Sequence, residues 1–97
     1  MSDMTVAKTI LSQIQTIDPR ATWAWGAKEF VASSLGLKFK TSGMTRWKGY
    51  VHIKYNEGND LYDIEFYRIR SAKIIVDSKV EGVYSDMLVD VIDSQVG

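Results

Sequence analysis

The stretch LYDIEFYRIR, residues 61–70, alternates between apolar and polar side chains along most of its length. Positions 62, 64 and 66 carry Tyr, Ile and Phe, whereas Asp63, Glu65 and Tyr67 occupy the alternate positions. Successive side chains of a β-strand point to opposite faces of its sheet, so this period of two is typical of a strand with one buried face. The segment therefore predicts a half-buried strand.

Three further segments share this pattern and are separated by short runs that are rich in turn-forming residues. The predicted strands are 37–41, 50–55, 61–69 and 73–80, and their short connections favour an antiparallel meander. The side chains expected on its inner, helix-covered face are Leu37, Phe39, Val51, Ile53, Tyr55, Tyr62, Ile64, Phe66, Ile74, Val76 and Val80.

The loop 56–60 indicates a register for the second and third of these strands. If it pairs Tyr55 with Tyr62, apolar side chains lie opposite one another, and the basic side chains between them lie opposite carboxylates. The predicted pairs are Tyr55–Tyr62, Lys54–Asp63, Ile53–Ile64, His52–Glu65 and Val51–Phe66. A single register therefore pairs the apolar side chains with one another and the basic side chains with carboxylates.

The segment before the meander shows helical periodicity. Ser2 is a candidate N-cap for an amphipathic helix that ends before Pro19. Its apolar stripe comprises Val6, Ile10, Ile14 and Ile17. Residues 19–32 are predicted to be mainly helical, but Phe30 and Val31 also suit the start of a strand. The sequence leaves 28–32 open between helix and strand.

The segment after the meander predicts a closing helix. Glu81 and Gly82 are expected to end the last strand, and a helix of about 11 residues follows. Its apolar stripe comprises Tyr84, Met87, Leu88, Val91 and Ile92. The chain is thus predicted to form a single α+β domain, residues 1–97. In this domain an antiparallel meander of about four strands is covered on one face by an N-terminal helical region and a C-terminal helix.

The motif DLYDIEFYRIR at 60–70 also carries a resemblance, together with WGAKEFVA at 25–32, GLKFK at 36–40 and VYSDMLVDVID at 83–93. The chain resembles a group of small uncharacterised proteins that are encoded by bacteriophages and other bacterial mobile elements, which often have Gly at the position of Tyr67. The resemblance implies a phage or mobile-element origin and brings no catalytic residues with it. Small proteins of such elements are frequently accessory factors that bind a host or viral macromolecule.

The composition restricts the classes of function. Twelve basic and twelve acidic residues give a formal net charge of zero, which argues against a generic nucleic-acid coat protein. Residues 36–73 carry a net charge of +4 and residues 74–97 a net charge of −4. The absence of Cys excludes disulfides and cysteine zinc ligands. No apolar run approaches the roughly 18 residues of a membrane span, so we expect a soluble protein in the cytoplasm of the host cell.

Residues suited to catalysis or metal binding are few. His52 is the single histidine, and Glu65 opposite it could orient the imidazole, but the sequence places no nucleophile beside the pair. The loop 56–60 lacks the ligand spacing of a calcium site. The spacing of Asp86, Asp90 and Asp93 is typical of a solvated helix face. We therefore expect a protein that is not an enzyme, with no catalytic residues, metal or cofactor.

A set of basic and aromatic residues gives the strongest indication of function. Such residues anchor protein interfaces, and on the face of a sheet they also suit binding of single-stranded nucleic acid. The predicted binding residues are Arg46, Trp47, Lys48, Tyr50, Tyr67, Arg68 and Arg70. Trp47 is interpreted either as an exposed anchor or as a loop aromatic that folds back on the sheet edge.

The expected function is non-catalytic binding of a host or phage protein, and a homo-oligomer would also bury the aromatic surface. The alternative is binding of single-stranded nucleic acid on the basic and aromatic sheet face. Asp63 and Glu65 would repel phosphate there. The sequence leaves open whether these cross-strand carboxylates neutralise the basic face.

Overall fold

The computed structural model describes residues 4–33, 35–42 and 47–96. Its helices and strands are, in chain order, α1 (Met4–Ile17), α2 (Ala21–Ala24), β1 (Lys28–Ser33), β2 (Gly36–Lys40), β3 (Tyr50–Asn56), β4 (Leu61–Arg70), β5 (Lys73–Val83), a 3₁₀ turn (Ser85–Met87) and α3 (Leu88–Val96). The strands form one antiparallel sheet in the order β1-β2-β3-β4-β5. The predicted α+β fold is confirmed, with five strands in the described ranges in place of about four.

The additional strand is β1, so residues 28–32, for which the sequence allowed helix or strand, are extended. The helical part of the preceding segment is limited to α2. Gly26 follows it with a φ of +64°, in the left-handed region that favours glycine, and a Cβ there would lie 1.9 Å from Ser42 Oγ. The Phe30 ring lies 5.4 Å from that of Phe39 between centroids. This contact joins β1 to the core. The helix α2 has already ended at Ala24, before Gly26.

The register of β3 against β4 is the predicted one. The observed pairs include Tyr55–Tyr62, Lys54–Asp63, Ile53–Ile64, His52–Glu65 and Val51–Phe66. Apolar side chains therefore meet on the inner face of the sheet, and oppositely charged or polar side chains meet on the outer face.

The helices α1 and α3 cover the inner face. Ile10 of α1 and Ile92 of α3 are fully buried. The predicted inner residues that are buried are Leu37, Phe39, Val51, Ile53, Tyr62, Ile64 and Phe66, while Tyr55 and Val80 are partly buried. Trp25 stacks on Phe39 and donates its indole N–H to Asp93 Oδ1 at 3.1 Å. One hydrophobic core thus joins the sheet to both helices.

The N-terminal helix agrees with its predicted stripe except at its end. Ile10 and Ile14 are fully buried, whereas Ile17 is 45% exposed. The candidate N-cap, Ser2, lies outside the described residues. No helix in the described part of the chain is both long and apolar enough to cross a membrane.

The closing segment differs from its prediction at the strand end. Glu81 and Gly82 do not end β5. Gly82 adopts a φ of +67°, and the strand continues to Val83. Val83 pairs with Tyr62. Tyr84 and Met87 of the predicted stripe are exposed. The buried residues of α3 are Leu88, Val89, Ile92 and Val96.

The prediction that Ile74 and Val76 face the core is wrong. Their side chains are 68% and 52% exposed. Phe66 lies opposite Ser78, but the next residue of β4 lies opposite Val76, so Asp77 is an extra residue in β5. Such a β-bulge shifts the alternation by one position. It therefore moves Ile74 and Val76 to the outer face, away from the helices.

Candidate interaction surface

The hairpin of β4 and β5 extends beyond the rest of the sheet. Tyr50, the first residue of β3, lies opposite Tyr67, and the β3–β4 ladder ends at this pair. The three residues that follow in β4 pair with β5. We call residues 68–76 the hairpin extension. It carries side chains that neither α1 nor α3 buries.

Aliphatic side chains cover the hairpin extension. Ile69 is 53% exposed, and Ile75 is 37% exposed. Ile69 pairs with Ile74, and Tyr67 pairs with Val76, so these four side chains lie together on the outer face. We call Tyr67, Ile69, Ile74 and Val76 the outer apolar strip. Soluble domains rarely expose contiguous apolar surface without a partner, which marks the strip as a candidate interface.

Two stacked tyrosines continue this strip toward β2. The rings of Tyr50 and Tyr67 are 5.3 Å apart between centroids and only 12° from parallel. Lys40 Nζ lies 5.8 Å from the centroid of the Tyr50 ring, within reach of a cation–π interaction. Burial, followed by the neighbouring Tyr50 and Glu65, raises the pKa of Tyr67. The Tyr67 phenol is therefore neutral at physiological pH.

Cations border the strip at the start of β3 and the end of β4. A shallow depression of about 490 Å³ is lined by Lys40, Lys48, Tyr50, Arg68, Ile69 and Arg70. Four of the seven predicted binding residues, Lys48, Tyr50, Arg68 and Arg70, thus come together here. Among the ion pairs of the described ranges, none involves Lys40, Lys48 or Arg70. These three cations are available to an acidic partner.

Trp47 folds back on the sheet, so the interpretation as an exposed anchor is wrong and the alternative is correct. Its ring meets Phe66 edge-on, with centroids 5.8 Å apart. Its indole N–H donates to Asp77 Oδ2 at 2.9 Å, and its backbone N–H donates to Val96 O at 3.1 Å. A Cβ on Gly49 would lie 2.6 Å from the same ring. Trp47 therefore closes the loop against the core.

Arg68 is also held by a contact within the chain. Its Nε and Nη2 donate to the two Asp77 carboxylate oxygens at 2.6 and 2.9 Å. The hydrogen bonds from Arg68 and then Trp47 lower the pKa of Asp77, and the carboxylate raises the pKa of Arg68. The bulge residue is thus the anchor of both predicted binding residues. Arg46, the remaining one, lies outside the described residues.

Two residues that support this surface escaped the sequence analysis, Thr41 and Asp77. Thr41 is fully buried. Its Oγ1 accepts from the Gly49 backbone N–H at 3.0 Å, while its own backbone N–H donates to Gly49 O at 2.8 Å. These bonds join the ends of the loop between β2 and β3. A Thr after a strand and an Asp within a strand are also common at ordinary solvent-facing positions. The sequence therefore does not indicate that Thr41 joins the loop ends or that Asp77 holds Trp47 and Arg68.

His52 lies beside a hydroxyl that the sequence could not place there. Ser33 Oγ is 3.2 Å from His52 Nε2, and His52 Nδ1 is 4.0 Å from Glu65 Oε1. The same Glu65 oxygen is closer to Lys54 Nζ, at 3.3 Å. The carboxylate that would orient an imidazole is therefore paired mainly with a lysine.

The electrostatic surroundings of His52 make it a weak proton acceptor. Burial, and then Lys38 and Lys54, lower the pKa of His52 from 6.5 to about 4, against the opposing effect of Glu65. General bases work best when their pKa lies near the working pH. The contact between Ser33, at the end of β1, and His52 on β3 is therefore best explained as a hydrogen bond between neutral side chains. The low pKa of His52 argues against activation of the Ser33 hydroxyl.

Within the described ranges, no group of three or more His, Asp or Glu side chains is placed to hold a metal ion. The polar side chains of loop 56–60 complete the turn instead. Asn56 Oδ1 accepts from the Gly58 N–H at 2.9 Å, and Asn59 Oδ1 accepts from the Leu61 N–H at 3.1 Å. Asx turns of this kind are typical of β-hairpin loops.

Comparison with models of known protein families, with curated proteins and with solved structures finds no match. The resemblance of the segment around residues 60–70 to phage and mobile-element proteins therefore stays a prediction, and the candidate surface is argued from its own geometry.

Proposed function

We propose that the protein is a non-catalytic accessory protein of a bacteriophage or other mobile element, and that it binds another protein through the outer apolar strip and the cations beside it. The observation that carries this proposal is the set of exposed aliphatic side chains on the hairpin extension beside three cations without an ion-pair partner in the described ranges. Interfaces commonly combine an apolar centre with a polar rim. The partner would present apolar side chains flanked by carboxylates.

The predicted binding residues divide into two roles under this proposal. Tyr50 and Tyr67 supply apolar area, while Lys48 and Arg70 attract the acidic partner and set its orientation. Trp47 and Arg68, both bonded to Asp77, keep the surface in shape. Arg46 belongs to the proposal on the strength of the sequence alone.

The mobile-element setting is supported by the resemblance of the strand motif at 60–70 and by nothing in the geometry. Small proteins of such elements are frequently accessory factors that bind a host or viral macromolecule, an analogy that does not depend on fold. An exposed strip on a small domain suits such a role, because binding then needs no enclosed cavity.

The test is capture of partners from a bacterial host lysate on tagged protein, with half of each sample treated with nuclease. The variant Ile69→Lys places a charge in the centre of the strip at a side chain that is already exposed. Ile17→Lys is the matched control, because Ile17 is 45% exposed at the end of α1, the helix that covers the opposite face of the sheet.

We expect a discrete protein that survives nuclease treatment, is lost with Ile69→Lys and is retained with Ile17→Lys. Capture that Ile69→Lys leaves unchanged would remove the strip as the binding surface. Arg70→Glu together with Lys48→Glu should slow association with the purified partner and make its rate less dependent on salt.

A second candidate function is binding of single-stranded nucleic acid, which the stacked pair of Tyr50 and Tyr67 beside Lys40 favours. The carboxylates oppose it, because Glu65 pairs with Lys54 and Asp63 lies on the same face, where it accepts from the Gly82 N–H. Fluorescence anisotropy with a labelled oligothymidine tests this function. Salt-sensitive binding that Tyr67→Leu abolishes would favour it over the protein-binding proposal.

A further inference from the structure

The strand β5 lies at an edge of the sheet, so one side of its backbone has no neighbouring strand among the described residues. Natural proteins protect such edges with bulges, charged side chains or proline. Two register shifts occur in the β4–β5 ladder, one at Asp77 and one near Gly82. The segment 73–76 pairs regularly with β4. It carries one charge, Lys73, at its start, and Ile74, Ile75 and Val76 have no bulge, charge or proline among them.

The opposite edge of the sheet is better protected. There β1 carries a register shift between Lys28 and Val31, and Glu29 adopts a φ of +56°. A bulge of this kind interrupts the regular row of backbone groups that another strand would need. Of the two edges, β5 is therefore the one suited to strand addition.

The hairpin extension also has fewer strands than a stable sheet requires. Residues 68–70 pair with 73–75, and the ladder between β3 and β4 has already ended at Tyr67. A ribbon of two strands is only marginally stable in water, and a third strand makes it stable. A strand added along 73–77 would supply the missing neighbour.

We propose that a second copy of this chain supplies this strand, and that β5 pairs antiparallel with β5 of the second copy around a two-fold axis at Ile75. Two-fold dimers are the commonest symmetric assemblies, and their interfaces bring the same surface of each copy together. The result is a continuous sheet across both copies, with the two outer apolar strips side by side.

The position of the axis follows from side-chain chemistry. Residues directly opposite each other must lie on the same face of the sheet, so the axis passes through a residue and not between two. An axis at Ile75 places Ile74 opposite Val76 and places Ile75 opposite its own copy. It also places Lys73 opposite Asp77, so each end of the paired segment joins opposite charges.

Neighbouring axes satisfy fewer of these conditions. An axis at Val76 would place Ile75 opposite Asp77 and extend the pairing across the bulge to Ser78. An axis at Ile74 would place Lys73 opposite Ile75 and bring the turn residue Ala72 into the ladder. Of these axes, the one at Ile75 ends the pairing at the bulge residue Asp77 instead of crossing it, and it gives both charged pairs.

This dimer deepens the proposed function, because joining the two strips would double the surface offered to a partner. Only this functional role of the dimer rests on the proposed function. Dimerisation is measured on the purified protein without any partner. A monomer would overturn the dimer and leave the capture result with Ile69→Lys as it stands. Failure of capture by an intact dimer would overturn the proposed function alone.

The first test is sedimentation equilibrium of the wild type, for which we expect twice the 11.0 kDa chain mass. Ile75→Lys and Ile75→Glu should each weaken dimerisation by about tenfold or more, because the new charge meets its own copy at the axis. An equal mixture of the two variants should restore the dimer, because Lys then faces Glu. A wild-type monomer, or a mixture that stays monomeric, would contradict the proposal.

Val31→Lys is the control for the opposite edge, because Val31 is 56% exposed on β1. It should leave the dimer unchanged, since a loss there would assign the interface to β1. The dimer should also persist at about 1 M salt, where charge attraction is screened over roughly 3 Å. Dissociation at high salt would instead indicate contact between the acidic α3 of one copy and the cations of another.

A second measurement keeps the test independent of variant stability. The chain has no Cys, so Ile75→Cys introduces a single thiol that should face its own copy at a Cα distance suitable for a disulfide. Mild oxidation should give a covalent dimer. Ile69→Cys, on β4 and one strand further from the axis, should cross-link far less. Equal cross-linking of the two variants would exclude the proposed register.

Discussion

The two halves of β4 both alternate, but the phase of the alternation changes between Phe66 and Tyr67, and the two halves have different surroundings. In the first half Tyr62, Ile64 and Phe66 are at most 5% exposed, whereas Ile69 in the second half is 53% exposed. The first half lies between β3 and β5 beneath the helices, and the second half has β5 as its strand neighbour. Alternation thus specifies that a segment pairs as a strand, and it does not specify whether a second layer covers it.

The two halves are also held by different forces. In the covered half the Tyr62 hydroxyl donates to Gln13 Oε1 at 2.9 Å and the apolar face is buried against the core. In the hairpin extension the main side-chain contact is the pair of hydrogen bonds from Arg68 to Asp77. Exposed ion pairs contribute little to stability, so the extension should open more readily than the rest of the sheet.

The largest expected effect is a difference in the free energy of unfolding between one substitution in each half of β4. Ile64→Ala removes a fully buried side chain and should lower the free energy of unfolding by about 3 kcal/mol. Ile69→Ala, at an exposed position of the same strand, should cost about 0.5 kcal/mol or less. Urea unfolding of both variants measures the difference. Equal losses would contradict the exposure of Ile69 and would mean that a further layer covers the outer face of the extension in solution.

A pH effect is expected from the covered part of the sheet, where His52 lies opposite Glu65. The pKa of His52 is 6.5 in the unfolded chain and about 4 in the folded protein. Between these values the unfolded chain binds more protons, so stability is fully present above pH 6.5 and falls as the pH drops toward 4. We expect a loss of about 1 to 2 kcal/mol, less than the whole shift implies because the site is partly hydrated.

Urea unfolding at about pH 7.5 and about pH 4.5 measures this loss. His52→Gln should flatten the dependence in that range, because it removes the titrating group. The lowered pKa of Asp77 acts only at more acidic pH, below its usual value of 3.8, so it does not interfere. A variant with an unchanged slope would show that the pKa of His52 is not shifted.

The smallest expected effect sharpens the comparison at the tip of the extension. Ser71 and Ala72 have φ values of +52° and +61°, which a type I′ turn requires at both central positions and which Asn and Gly adopt more readily. Ser71→Asn combined with Ala72→Gly should raise the free energy of unfolding by about 1 kcal/mol. A thermal melt of the double variant measures this. A lower melting temperature would contradict the assigned turn.

Much of the fold could be predicted from the sequence. The β3–β4 register followed from a single turn and from the agreement of apolar and charged pairs, since a slip of one residue would expose the whole apolar face. The same register also predicts which residues of β4 extend beyond β3, although this extension was not among the predictions drawn from the sequence. Continued from Tyr55–Tyr62, it pairs Tyr67 with Tyr50 and leaves residues 68–70 opposite the loop before β3. The extension beyond β3 was therefore predictable.

The candidate surface was predictable only in part. Lys48, Tyr50, Arg68 and Arg70 were named from composition and do line one depression. Trp47 was ambiguous because its burial depends on Phe66 and Asp77, which are distant in sequence. Ile74 and Val76 were assigned to the wrong face because one bulge residue shifts the alternation, and no local propensity marks that residue.

The sequence by itself determined the strand periodicity, the β3–β4 pairing, the buried centres of the helical stripes and the separation of charge, because these depend on local spacing and on short turns. The tertiary structure decided which apolar side chains are covered. Coverage depends on where α1 and α3 end over the sheet, and on the bulge at Asp77 that turns Ile74 and Val76 outward. The candidate surface lies where these long-range conditions leave a regular, apolar hairpin without a second layer.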